Sequence, residues 1–279
     1  RCLPGILPPM SFEEALETTR IHSIAGRLAP GAGLMATRPF CTPHHSASVA
    51  SLIGGGANAR PGEVSMAHNG VLFLDELPEF SRPALEALRQ PLEDGVVSVT
   101  RIHHQAQYQS SFMLVASMNP CPCGFFGSKQ RACRCTQHEI RRYLDRVSGP
   151  LLDRIDIQIE VDAVPVKEIS GGGRAESSAA VGERVRRARL IQQERYRGEG
   201  IHCNAQLDAR LTKRYCVLPP EATQVLHLAV DRMGMSMRAY GRVLKVARTI
   251  ADLAGEPNIR TEHVAEAIQY RELDGKYWR

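Results

Sequence analysis

The chain has 279 residues, 43% of them hydrophobic and 23% charged, with a formal net charge of +5. That composition suits an ordinary soluble protein of one large or two medium domains with ample core. No apolar stretch reaches the roughly 18 residues of a membrane span and no secretory segment opens the chain, so no membrane role and a cytoplasmic location are expected. The mild positive charge permits contact with nucleic acid without requiring it.

Up to about Val161 short apolar strands alternate with helical stretches, an α/β pattern. The run Val71-Leu72-Phe73-Leu74 is wholly apolar and stops at Asp75 and Glu76. Such a run predicts a strand buried on both faces, as a parallel sheet requires. Carboxylates at its C-terminal edge stand where open α/β sheets bind ligands. Asp75 is the better magnesium ligand, and Glu76 the better base for a water attacking a γ-phosphate. An ordinary strand end also has this form.

Pro83–Glu93 reads as a helix closed by Asp94-Gly95, and Gly95–Arg101 with Ile102–Ser110 as the arms of a hairpin. Arg101, His103 and His104 at its bend are candidate nucleic-acid contacts, although polar hairpin tips are usually just solvated. The hairpin runs into a strand over Phe112–Met118. Asn119 follows directly, where an amide can orient a water or touch a γ-phosphate; before Pro120 it also suits a turn. Cys121, Cys123, Cys133 and Cys135 form two C-x-C pairs nine residues apart. Without an export signal they read as a closed structural zinc site, with His138 as a substitute ligand and free thiols as the other reading. A third strand is expected over Ile155–Val161. Arg154 just before it either pairs with Asp153 or Asp156 or serves a neighbouring subunit's phosphate as an arginine finger.

Ser170-Gly171-Gly172-Gly173 marks a joint, which divides the chain into a core over 1–163, a linker over 164–175 and a helical part over 176–279. Arg184, Arg186, Arg187, Arg189, Arg195 and Arg197 make a basic helix, read as a solvated face with some affinity for phosphate. Helical spacing of apolar residues over Ala222–Met233 and Tyr240–Ala254 predicts two more helices, and Glu262–Tyr270 a last one. Arg238 and Arg242 lie one turn apart, away from the apolar stripe with Lys245, as a basic ridge that could reach a nucleotide.

No G-x-x-x-x-G-K-[ST] occurs; the Gly275-Lys276 pair continues with Tyr277. A nucleotide site of this kind should have that loop, so the chain is expected to be part of a longer protein and to bind nucleotide poorly by itself.

The stretches Leu3-Pro4-Gly5-Ile6-Leu7-Pro8-Pro9, Arg20-Ile21-His22-Ser23, Pro43-His44-His45, His68-Asn69-Gly70 through Phe80, Asn119-Pro120-Cys121-Pro122-Cys123-Gly124, Leu151-Leu152-Asp153-Arg154-Ile155-Asp156 and Arg242 through Leu253 carry a resemblance. Together they resemble the ComM (YifB-like, magnesium-chelatase-like) family of bacterial AAA+ ATPases over nearly the whole chain. The resemblance implies a AAA+ P-loop-type parallel sheet core followed by an all-α lid. The core would lack its N-terminal portion, since relatives carry a Lon-type domain and a Walker A loop. Walker B would be Asp75 and Glu76, sensor 1 Asn119, the arginine finger Arg154, and sensor 2 Arg238 with Arg242 in reserve. ATP and Mg²⁺ would be the ligands, and the hairpin before sensor 1 would face the pore of a hexameric ring. The implied role is ATP-driven branch migration of branched or single-stranded DNA in natural transformation. Two alternatives are a magnesium-chelatase motor acting on a porphyrin and a AAA+ remodelling ATPase acting on protein partners; the C-x-C pairs favour the first reading.

Overall fold

A computed structural model of the chain describes residues 2–55, 59–100, 105–128, 131–161, 176–271 and 273. The described residues form two compact units. One spans Pro9–Arg154; the other joins the residues up to Pro8 with those from Ile155 onward.

The Pro9–Arg154 unit is built on a three-stranded parallel sheet. Its strands are β1 (Phe40–Cys41), β4 (Val71–Leu74) and β7 (Met113–Ala116), with β4 in the middle. Phe40 pairs with Val71, Leu72 with Leu114, and Leu74 with Ala116. Parallel strands cannot be joined by tight turns, so each crossover carries other elements. Between β1 and β4 lie α2 (Val49–Ile53), a small ribbon of β2 (Gly54–Gly55) and β3 (Arg60–Pro61), and α3 (Glu63–Met66). Helix α1 (Phe12–Ile24) opens the unit with a capping box, in which Ser11 and Glu14 satisfy each other's backbone donors. Val71, Leu72 and Leu74 are completely buried, as are Leu52, Ala84, Leu88 and Leu151 around them. Each fully buried leucine contributes about 1.5–3 kcal/mol.

The entry to β4 explains the His68-Asn69-Gly70 triplet. Buried His68 accepts from the Ser111 N–H at Nδ1 (3.1 Å) and meets Glu17 at Nε2 (3.2 Å). Asn69 adopts the left-handed conformation (φ 57°), and its N–H donates to Ser111 O at 2.7 Å. Gly70 lets β1 approach: a Cβ there would lie 2.1 Å from Pro39 O.

Between β4 and β7 the expected helix over Pro83–Glu93 is two short ones, α4 (Arg82–Ala87) and α5 (Arg89–Asp94), that meet at Leu88. Pro91 has no N–H to give to Ala87, so the ladder breaks one turn earlier. Gly95 closes α5 in the left-handed conformation (φ 67°). The hairpin pairs β5 (Val96–Thr100) with β6 (Gln105–Gln109), Val96 opposite Gln109 and Thr100 opposite Gln105. Its bend, with Arg101, His103 and His104, lies outside the described residues. Helices α6 (Gln137–Leu144) and α7 (Gly149–Leu152) end the unit.

The other unit is all-helical among its described residues. Its helices are α8 (Ser178–Arg195), α9 (Ala209–Tyr215), α10 (Pro220–Met233), α11 (Met237–Leu253) and α12 (Thr261–Gln269). The turn Leu3–Ile6 packs on α8. Ala222, Leu226, Ala247, Ala251 and Val264, all fully buried, knit α10, α11 and α12 together. The strand expected over Ile155–Val161 is not one: those residues carry no ladder among the described residues. Ile157, Ile159 and Val161 are exposed. Alternating Ile and Val side chains fit a pleat, but a strand exists only where a neighbour accepts its backbone bonds. Here the Gln158 N–H goes instead to Tyr270 O at 2.9 Å, in a helical neighbour. The joint at Ser170–Gly173 lies outside the described residues. No described helix is long and apolar enough to cross a membrane.

Candidate functional site

Where β4 ends, burial ends. Leu74 is fully buried, whereas Asp75 and Glu76 are exposed. The β4–β7 register sets Ser117 opposite Asp75, and the Ser117 hydroxyl donates to Asp75 Oδ1. The Glu76 N–H donates to the same oxygen at 3.0 Å. One oxygen of the exposed Asp75 is therefore held by two donors. Glu76 takes the left-handed conformation (φ 54°, ψ 49°), unusual for a side chain of its size and a sign of local strain. The turn is held by the Leu77 N–H bonding Ser117 O at 2.9 Å. On its other side, His45 Nδ1 lies 3.2 Å from Glu76 Oε2, and His44 stacks on His45 with ring centres 4.0 Å apart.

Asn119 leaves β7 two residues beyond Ser117, at the same sheet edge, with its side chain exposed. Its backbone N–H lies beside the hydroxyl of Tyr143, a buried residue of α6. Burial, reinforced by Glu79, pushes that hydroxyl's pKa up and keeps it neutral. Asp75, Glu76 and Asn119 thus share one edge of one sheet. His45 and Ser117 join them, and sequence reasoning gave neither a role. Pro43-His44-His45 was visible as a motif, but only the parallel β1–β4 pairing carries it to Glu76; only the register carries Ser117 to Asp75.

The four cysteines converge directly after Asn119. Their sulfurs all lie within 4.8 Å of one another, with Cys121–Cys123 at 3.4 Å, Cys123–Cys133 at 3.6 Å and Cys121–Cys133 at 3.7 Å. A tetrahedral zinc about 2.3 Å from each sulfur sets sulfurs about 3.8 Å apart. Backbone donors point at the sulfurs: the Phe126 N–H at Cys121 (3.3 Å) and the Cys135 N–H at Cys133 (3.4 Å). Those of Arg134 and Phe125 hold the Cys123 pKa down to about 6. Burial and the neighbouring thiols instead push Cys135 up to about 12 and Cys133 up as well, so Cys123 is the thiol readiest to ionise and metal binding must take the protons of the others. His138 is not part of the cluster.

Arg154 is 7% exposed and already committed. It ion-pairs with Glu93 and donates to Pro150 O at 2.6 Å. In the helical unit Arg238 is exposed near the start of α11, whose first turn is capped by Ser236. Arg242 pairs with Asp156 at 2.5 Å, and Lys245 donates to Ala205 O at 3.2 Å. The expected basic ridge is thus largely tied to its own unit. The basic helix is likewise neutralised locally: Arg184 pairs with Glu176, Arg186 and Arg187 with Glu183, and Arg197 with Glu194. Arg195 turns inward to buried Asp252.

The family model for the magnesium chelatase subunit ChlI matches residues 1–169, and that for the ChlI C-terminal region matches residues 175–271. The competence protein ComM of Haemophilus influenzae is 46% identical over 272 residues, 97% of this chain and 52% of that protein. YifB of Salmonella typhimurium is 44% identical over 273 residues (98% and 53%), and YifB of Escherichia coli 43% over 274 (97% and 52%). The chain spans about half the length of these relatives. With its parallel sheet, helical unit and acidic sheet edge, it belongs to the ComM/YifB-like, magnesium-chelatase-like family of AAA+ ATPases.

Proposed function

We propose that the chain carries the acidic edge of the ATP-hydrolysing core of a longer cytoplasmic motor that works on branched or single-stranded DNA as a hexameric ring, and that the chain by itself is inactive. The observation that carries the ATPase reading is the shared sheet edge of Asp75, Glu76 and Asn119. Glu76 polarises the attacking water, Asn119 orients the γ-phosphate, and Asp75 serves the magnesium. An exposed carboxylate beside a hydroxyl is a hard oxygen environment that fits Mg²⁺. When bound, that ion neutralises charge across the β- and γ-phosphate oxygens. Arg154 acts in trans, exchanging Glu93 for the more highly charged triphosphate of a neighbour. Arg238 couples the helical unit to the nucleotide, with Arg242 as the alternative. The four-thiol cluster takes one structural Zn²⁺, a closed site with no position left for catalysis.

The DNA assignment draws support from the competence protein among the relatives. The magnesium chelatase description supports a second reading, in which the same motor drives metal insertion into a porphyrin. In a protein of the relatives' full length, Glu76→Gln should abolish ATP turnover and leave ATP binding intact; retained turnover overturns the ATPase assignment. DNA binding that falls steeply with salt, with ATP-dependent unwinding of branched duplexes, separates the two readings. Turnover without any DNA binding overturns the first.

A further inference from the structure

The cysteine cluster sits at a mechanical junction. Its first arm leaves the catalytic edge: Cys121, fully buried, is two residues past Asn119. The arm folds back on itself through the Gly124 N–H to Cys121 O (3.0 Å). Gly124, left-handed at φ 80°, brings its backbone against the Asn119 amide, where an added Cβ would lie 3.8 Å from Oδ1. The second arm ends at Cys135, and the next residue, Thr136, caps α6 in a box with Glu139. Helix α6 then returns to the same place, because its Tyr143 hydroxyl lies beside the Asn119 backbone N–H. Just past α6, Arg146 donates to Pro78 O (3.1 Å) and Glu79 (2.9 Å), pinning that end to the turn that follows Glu76.

Asn119, the two cysteine arms, α6 and Tyr143 therefore form a loop of contacts, and the four sulfurs are where its two arms meet. Thiols alone hold the arms weakly: three of their separations, at 3.4–3.7 Å, are near van der Waals contact. A metal bound to both arms closes the loop by strong ligation, and most of the unit's buried core lies outside the cysteine arms.

We propose that the metal in this knuckle is the fixed point that positions Asn119 at the catalytic edge, so that zinc occupancy governs ATP hydrolysis while leaving the fold of the sheet unit intact. The proposal rests on the zinc reading given above and extends it from a structural ion to a positioning device. Cys121, Cys123, Cys133, Cys135, Gly124 and Tyr143 are positioning residues; none of them touches the nucleotide.

The test uses a protein of the relatives' full length, in three steps. Zinc content is measured first. Absence of one equivalent per chain overturns the zinc reading, and this inference falls with it. With zinc present, chelation should lower kcat about tenfold or more while KM for ATP moves less than about twofold, and added Zn²⁺ should restore kcat. Amide exchange at Asn119 should accelerate about tenfold on chelation, with protection in β4 unchanged. In an Asn119→Ala background, stripping the metal should cost no further activity, because both changes remove one function. A stripped protein that keeps its kcat, or a loss that adds fully to that of Asn119→Ala, overturns the positioning role even though zinc is bound. Stripping that unfolds the unit overturns the proposal as well, because the metal would then hold the fold together rather than position Asn119.

Discussion

Asp252→Asn isolates the charge that anchors the helix carrying Arg238 and Arg242. Asp252, its side chain wholly buried, is shared by two guanidiniums. Its Oδ1 accepts from Arg195 Nη2 (2.5 Å) and Arg248 Nε (3.1 Å), and its Oδ2 from Arg195 Nη1 (2.8 Å) and Asn204 Nδ2 (2.8 Å). The two arginines respond oppositely. At Arg248 burial dominates and lowers the pKa; at Arg195 burial also lowers it, but the paired bonds to Asp252 outweigh that and raise it. An asparagine keeps the shape, but whichever way its amide turns, the NH₂ faces two donors. Removing one member of a buried ion pair costs about 3–5 kcal/mol. For a helical unit of this size, even the lower figure shifts the midpoint by roughly 12 °C or more. Thermal and urea unfolding of the 279-residue chain, followed by circular dichroism, reads the change. A loss under about 1 kcal/mol would refute the claim that Asp252 holds two buried cations in place.

At the acidic sheet edge, His45→Ala should leave ATP affinity unchanged and lower kcat about tenfold in a protein of the relatives' full length, since the imidazole 3.2 Å away orients the Glu76 carboxylate proposed to polarise the water. Steady-state ATP turnover checks it, and an unaltered kcat removes His45 from the site. Gly70→Ala places a Cβ 2.1 Å from Pro39 O, and its overpacking cost of about 1–3 kcal/mol should appear in urea unfolding. A neutral result would mean that the β1–β4 approach is looser than the structure has it.

The β4 strand, the hairpin, the cysteine cluster and the helices α10 to α12 were all legible in residue order, because each is dictated by local pattern. An unbroken apolar run, a glycine after a helix, two C-x-C pairs and a 3.6-residue repeat are signals carried within about twenty residues. Asp75, Glu76 and Asn119 could be singled out because chemistry at strand ends follows from where parallel sheets stop. Over Pro83–Glu93 the pattern predicts one helix where the structure has two, although Pro91 marks the break.

What residue order could not decide was which groups meet. The strand expected over Ile155–Val161 has an apolar alternation like any other, but pairing is a property of two segments, and its backbone bonds go to a helical neighbour. Arg154 had two aspartates beside it in sequence, yet it also pairs with Glu93, 61 residues away. His45 and Ser117 reach the acidic edge only through the register of the parallel sheet. Local pattern sets the backbone's conformation, whereas the partners of a charge or a hydrogen bond are chosen by through-space distance, and that distance exists only once the chain is packed.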